Sequence, residues 1–167
     1  MLFTYQISLL FGINKGDKML GKLSKIIAGV ALSLSLASAA TVDEVKAFVN
    51  DGFNLCESKG VERCLEVFND TKGPFIKGEL YMFAYDFKGV NKALGSNPKL
   101  VGKNLYKLKD ATGLLLIQEL ITIAQTKGEG WLDYKWSHPI KKTIEDKTSY
   151  IRKLNGADIF IGTGYYK

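Results

Sequence analysis

The sequence predicts an α+β domain: a five-stranded antiparallel sheet with a long N-terminal helix and helices to one side. Three observations carry this. Behind Thr41, the positions Val45, Phe48, Val49, Gly52, Phe53 and Cys56 recur at helical spacing. Leu80 to Tyr85 form an unbroken apolar and aromatic run, as a strand buried on both faces does. The last third of the chain holds three strand-like runs parted by turn residues, each mixing aromatics with a few polar groups.

The elements follow in order. Thr41 with Glu44 makes a capping box, so a helix is predicted over 42–58. A second helix over 61–68 carries Val61, Cys64, Leu65 and Phe68 on one side, and the turn formers at 69–74 end it. A strand over 79–87 meets the turn Asp86-Phe87-Lys88-Gly89, and 90–94 is the returning strand. Residues 95–98 break it, and 99–110 read as loop with single turns. Leu114, Ile117, Gln118, Ile121 and Ala124 give a helix over 114–126, closed by Lys127-Gly128. Strands over 130–137, 148–154 and 159–165 complete the chain, the last two joined at Asn155-Gly156. Short links favour antiparallel neighbours.

The length, 167 residues, fits one domain. Residues 1–40 read as a leader. A basic start at 19–25, an apolar run at 26–36 and Ala37-Ser38-Ala39 have the layout of a signal peptide over 19–40. The run is shorter than the roughly 20 residues of a spanning helix. On this reading Met19 is the true start and 1–18 a start-site artefact; an uncleaved anchor is the other reading. The remaining 41–167 holds 19 Lys and Arg against 16 Asp and Glu, a net charge of +3 with no standout basic block. Nucleic-acid binding is therefore not expected. The product is expected in the periplasm or secreted. Export permits a disulfide between Cys56 and Cys64, which flank the corner Ser58-Lys59-Gly60; two small buried apolar residues are the alternative. The pair lacks the neighbours of a redox or zinc motif.

Several stretches together resemble a single Cache domain. Gly78-Glu79-Leu80-Tyr81-Met82-Phe83-Ala84-Tyr85-Asp86 is similar to its first strand. Asn97-Pro98-Lys99-Leu100-Val101-Gly102-Lys103-Asn104-Leu105 and Leu108-Lys109-Asp110-Ala111-Thr112-Gly113 are similar to its middle loop. Gly128-Glu129-Gly130-Trp131-Leu132-Asp133-Tyr134-Lys135-Trp136, Lys147-Thr148-Ser149-Tyr150 and Gly162-Thr163-Gly164-Tyr165-Tyr166 are similar to its last three strands. The pieces are collinear over 41–167. The resemblance implies a PAS-like fold and an extracytoplasmic small-molecule sensor, of the kind found in chemoreceptors and sensor kinases, where many single Cache domains bind short organic acids. Two departures stand out. Most relatives continue into membrane helices and an output domain, whereas the sensor fold here runs to Tyr165-Tyr166-Lys167; the expectation is a separate partner, a membrane receptor or kinase. The family often has His before the Gly of the small loop after its second strand, and here Leu94 holds that position.

Lys147 and Tyr150 are the expected polar anchor, a point charge and a directional hydroxyl for a carboxylate. Tyr134 and Trp136 share a strand face, as do Tyr81, Phe83 and Tyr85, and are expected to wall the pocket; each also fits an ordinary core. Asp110 either orients a ligand hydroxyl, pairs with Lys147, or caps the next helix. His138, the only histidine, precedes Pro139 in a turn, so no metal site or triad is expected. Gly162-Thr163-Gly164 signals close backbone approach in a strand, not a phosphate loop. The expected function is binding without chemistry: no enzyme, no cofactor. A periplasmic enzyme, or a structural or redox-accessory module relying on the cysteines, are the alternatives.

Overall fold

The computed structural model describes residues 40–167; the leader readings fall on residues 1–39 and lie outside them. Helix α1, Val42–Lys59, starts as its sequence requires. Thr41 Oγ1 accepts from Glu44 N, and the Glu44 carboxylate accepts from Thr41 N at 2.7 Å. Its buried stripe is Val45, Phe48, Val49, Gly52, Phe53 and Cys56. Gly60, at φ 84°, turns the chain into α2, Val61–Asn69. The sulfurs of Cys56 and Cys64 are bonded across that corner, with the Cα atoms 5.0 Å apart. Closing so short a loop limits the unfolded chain by about 2–3 kcal/mol in the entropic account.

The 79–87 run is not one strand. Ile76–Lys77 (β1) pairs with Leu80–Tyr81 (β2) as a small ribbon, and the main sheet begins only at Phe83–Asp86 (β3). The backbone of Met82 makes the switch, donating to Phe75 O at 3.1 Å and accepting from Gly95 N at 3.2 Å. A continuous apolar run carries no mark of such a change of partner. The other strands are Asn91–Leu94 (β4), Glu129–Ser137 (β5), Ile144–Lys153 (β6) and Ile159–Tyr166 (β7). They form a five-stranded antiparallel sheet in the order β4-β3-β7-β6-β5, a PAS-like arrangement with the first and last strands adjacent at its centre. β6 begins four residues before the predicted start. Its first turn of residues, Ile144, Glu145 and Asp146, is polar enough to read as loop, yet it pairs with Ser137, Trp136 and Lys135. An exposed Lys135–Asp146 ion pair at 2.7 Å lies across that end.

The helices do not gather on one side, as the sequence suggested. α1 and α2 cover one face, packing on Met82, Ala84, Ala93, Tyr150, Leu154 and Ile161. Helix α3, Leu116–Lys127, covers the other with Phe83, Tyr85, Ile151 and Phe160. Adjacent residues divide between the two layers because successive strand side chains point to opposite faces. The central sheet is thus a wall between two cores.

Gly162 and Gly164 leave the α3 face of β7 bare between Phe160 and Tyr166. A methyl group at Gly162 would meet Phe83 and Ile151, and one at Gly164 would meet the Thr148 carbonyl and Ser149. Gly164 thereby lets β7 lie directly against Thr148 and Ser149 of β6. Gly164→Ala is expected to destabilise the domain by about 1–3 kcal/mol, because the obstruction is backbone that cannot step aside. Urea unfolding measures this; a variant as stable as the wild type would show that β6 and β7 are not so tightly apposed.

Candidate functional site

On the α3 face, Tyr81, Phe83 and Tyr85 come from β2 and β3, and Tyr134 and Trp136 from β5. Leu94 and the α3 residues Leu116, Ile117 and Leu120 lie across them. Together they line a cavity of about 10 Å³, room for one water at most. Five of the expected pocket residues therefore converge.

Lys147 reaches the same face from β6, in register with Tyr134 on β5 and Tyr166 on β7. It is 1% exposed. Its Nζ lies 3.9 Å from the centre of the Tyr81 ring and 4.7 Å from that of Tyr166. Among the described residues the amine has no hydrogen-bond partner. Ring faces offset part of the cost of burying a cation, but they supply no lone pair for its three donors. Burial pushes the amine down to about 7, with the Glu79 carboxylate pulling it back up.

The hydroxyls around it are neutral and ordered. Tyr166 OH donates to Ser137 O at 2.8 Å, so the 3.2 Å contact between Tyr81 and Tyr166 has Tyr81 as donor. Tyr134 OH and Ser149 Oγ are 2.9 Å apart. Burial pushes the Tyr81 and Tyr134 hydroxyls well above the usual range, and that of Tyr85 to about 12.

Three supporting residues escaped the sequence reading. Tyr166 forms one side of the amine's box. His138 is buried, its ring 4.4 Å from that of Tyr166. Its Nδ1 accepts from the amides of Ile140 and Lys141, which leaves Nε2 to carry the proton toward Glu79 Oε2 at 3.4 Å. Glu79 Oε1 is buried without a hydrogen-bond partner among the described residues. The even spacing Gly162, Gly164, Tyr166 was a usable signal for Tyr166; Glu79 and His138 had none, because their meeting depends on the fold of β1 and β2.

Two expected contributors lie elsewhere. Tyr150 sits three residues from Lys147 in one strand, hence on the opposite face, where it packs on Trp131 at 5.1 Å between ring centres. The two do not share a pocket. Asp110 neither lines the cavity nor pairs with Lys147. Its carboxylate accepts from Thr112 N, Thr112 Oγ1, Leu114 N and Lys135 N, tying the turn before α3 to β5. Burial pushes its carboxyl up, but these hydrogen bonds outweigh it and hold the group at about 2. It does not cap α3, whose first turn is preceded by Leu115 with no side-chain bond. Among the described residues, no group of three or more His, Cys, Asp and Glu is placed to hold a metal.

A family model described as Cache domain matches residues 62–167. The chain belongs to the Cache domain family. It is 36% identical over 86 residues to the sensor histidine kinase MctS of Rhizobium johnstonii, a match covering 52% of this chain and 18% of the kinase. The matched stretch thus spans less than a fifth of that relative. The solved structure of a methyl-accepting chemotaxis protein from Vibrio parahaemolyticus is 30% identical, with TM-score 0.66, covering 74% of this chain and 86% of that one. A Cache chemosensory domain solved for its carboxylic acid recognition is 21% identical, with TM-score 0.57, covering 72% and 84%; it shares the fold. Cache domains are extracytoplasmic sensor modules that bind small molecules. No helix among the described residues is long and apolar enough to cross a membrane.

The unpartnered amine makes the ligand-free Cache domain carry a cost that a sulfur-containing isostere removes. Lys147→Met is expected to raise the ligand-free stability by about 1–3 kcal/mol, the scale seen when buried charge gives way to apolar packing. The sign follows from linkage. The folded amine at about 7 lies below the ordinary lysine value of about 10.4. The penalty is therefore full below pH 7 and fades as pH rises toward the unfolded value, because the unfolded chain alone keeps the proton in that window. The variant's advantage should be largest at pH 6 and shrink at pH 9 in paired urea titrations. A variant less stable than wild type at pH 6 would show that Lys147 already has an acceptor.

Proposed function

We propose that this Cache domain senses a short carboxylate, which docks on the Lys147 ammonium between Tyr81 and Tyr166. Phe83, Tyr85, Tyr134 and Trp136, with Ile117 and Leu120 of α3, enclose its apolar end. One observation carries the reading: a fully buried amine with no acceptor among the described residues lies over the ring of Tyr81, a residue that also lines the aromatic cavity. A carboxylate supplies the missing acceptors through charge-assisted hydrogen bonds. The fold shared with a carboxylic-acid-recognising Cache domain agrees with this ligand class. The function is binding alone. Ser149 Oγ, a hydroxyl on this face, is bonded to Tyr134 rather than to a base.

A cavity of about 10 Å³ is too small for an organic acid, so binding one moves α3 or the Trp136 side chain outward. Binding then selects an expanded conformer, and a receptor or kinase partner reads the shift. The bonded pair Cys56–Cys64 fits an oxidising compartment, which supports export and the signal-peptide reading.

Thermal-shift and calorimetric titrations of the full chain with acetate, propionate, lactate and pyruvate test the proposal. A ligand at 100 times its dissociation constant adds roughly 2.7 kcal/mol of stability. Lys147→Met should abolish the response while leaving the protein folded, and alkylamines should give none. The pH dependence has a definite sign. With the free amine at about 7, a bound carboxylate raises that value, so binding takes up a proton above pH 7. Affinity should stay level from pH 5.5 to 7 and fall above it, by at most about tenfold per pH unit. The carboxylate assignment fails if no acid shifts the melting point, or if Lys147→Met still binds one.

A further inference from the structure

Residues 87–109 contain six lysines and no Asp or Glu. They are Lys88, Lys92, Lys99, Lys103, Lys107 and Lys109. The overall charge balance conceals this stretch because 42–70, in α1 and α2, holds seven acidic residues against three basic ones. Backbone bonds gather the lysines at one sheet edge. Asn91 N donates to Lys103 O at 2.9 Å, Gly102 N to Asn91 O at 2.8 Å, and Leu105 N to Gly89 O at 2.8 Å. The segment after β4 thereby folds back along β4 and covers its free edge. Lys92 pairs with Asp86 at 3.4 Å. The other five are exposed and, among the described residues, have no ion-pair partner. Val101 and Tyr106, 36% and 40% exposed, stand between them. Phe87 and Lys88 line a shallow depression shared with Asn104, Tyr106 and Lys107.

We propose that this edge is a docking surface for an anionic lipid bilayer. A site for a small anion would need donors converging on one point, with a buried polar group among them; these ammonium groups are spread along the exposed segment that covers the edge. Spread charge with a few apolar side chains suits a surface that is itself extended and diffusely negative. Lysine stems and the tyrosine ring can lie against the headgroup layer with their polar ends in water. Each lysine near such a surface strengthens partitioning by about fivefold, and the attraction fades within a Debye length of about 10 Å at 0.1 M salt. Beneath the patch, Leu100 and Leu105 pack on the same hydrophobic cluster as the cavity walls. The docked loop and the ligand cavity therefore share a support.

Flotation of the full chain with vesicles tests this. The probes are phosphatidylcholine alone and phosphatidylcholine with about a third phosphatidylglycerol. The wild type should float with the anionic vesicles and be released by 0.5 M salt, a concentration at which the screening length is well under about 8 Å. Lys99→Glu/Lys103→Glu/Lys107→Glu should lose at least about tenfold in partitioning with an unchanged melting point. Lys46→Glu, on α1, should float as the wild type does. Because both variants keep residues 1–40, any hold that the leader has on lipid cancels in the comparison. Equal flotation of the triple variant and the wild type overturns the proposal, as does equal partitioning into neutral and anionic vesicles. Salt-sensitive self-association without lipid, lost in the triple variant, would assign the edge to the acidic helices of a second copy instead.

Discussion

The Lys147 amine, buried between two phenol rings without an acceptor, is the constraint around which the α3 half of the domain is organised. Every group within reach is arranged to hold it in place without neutralising it. Tyr81 and Tyr166 present ring faces while their hydroxyls are tied to each other and to the Ser137 carbonyl. Glu79, whose carboxylate favours the charged amine, is turned toward His138. His138 in turn braces Tyr166. A carboxylate bonded directly to Lys147 would satisfy the amine and close the site to ligands. Keeping Glu79 at a remove lowers the cost of burial without filling the position.

That cost has to be met elsewhere, since a domain of this size has only about 5–15 kcal/mol of net stability. The opposite face supplies a conventional core. Phe48, Phe53, Phe68 and Phe75 pack with Val45, Val49 and Leu154, and Phe75 meets Phe48 and Phe68 edge-on at 5.4 and 4.8 Å. The Cys56–Cys64 bond fixes the corner between the two helices that cover it. The sheet therefore separates two tasks: one face holds the domain together, and the other tolerates an unsatisfied group and a small cavity.

Much of this was legible because it is local. The Thr41–Glu44 capping box and the α1 stripe lie within one helix, and the shared face of Tyr81, Phe83 and Tyr85 follows from the period of a strand. The same period shows why Lys147 and Tyr150 part company: a spacing of three suits one face of a helix and opposite faces of a strand. Glu79 and His138 leave no local mark, and the even spacing that singles out Tyr166 does not tell what it meets. Tyr166 meets Tyr81 across 85 positions of sequence, and that meeting depends on β7 lying next to β3 in one register. The break at Met82 was invisible too, since a residue that changes hydrogen-bond partners keeps the same apolar side chain. The lysine edge was missed because net charge averages over faces that the fold keeps apart.

The position of α3 joins these parts. Its C-terminal end is fixed: Gly128 N closes on Ala124 O, and Gly128 O accepts from Lys153 N of β6 at 2.7 Å. Its N-terminal end has no side-chain cap, and Leu116, Ile117 and Leu120, which roof the cavity, all lie in this half. The turn leading into it is held by Asp110, whose bonds run to β5 and to that turn rather than to the helix. In the proposed binding mode a carboxylate docked on Lys147 would press on the N-terminal half of α3, which is tied to the preceding loop through Gln118 Nε2 to Tyr106 O, while the other half remains bound to the strand that carries the amine. On that proposal the helix would tilt about its C-terminal end, and the sheet would not have to yield for the cavity to open.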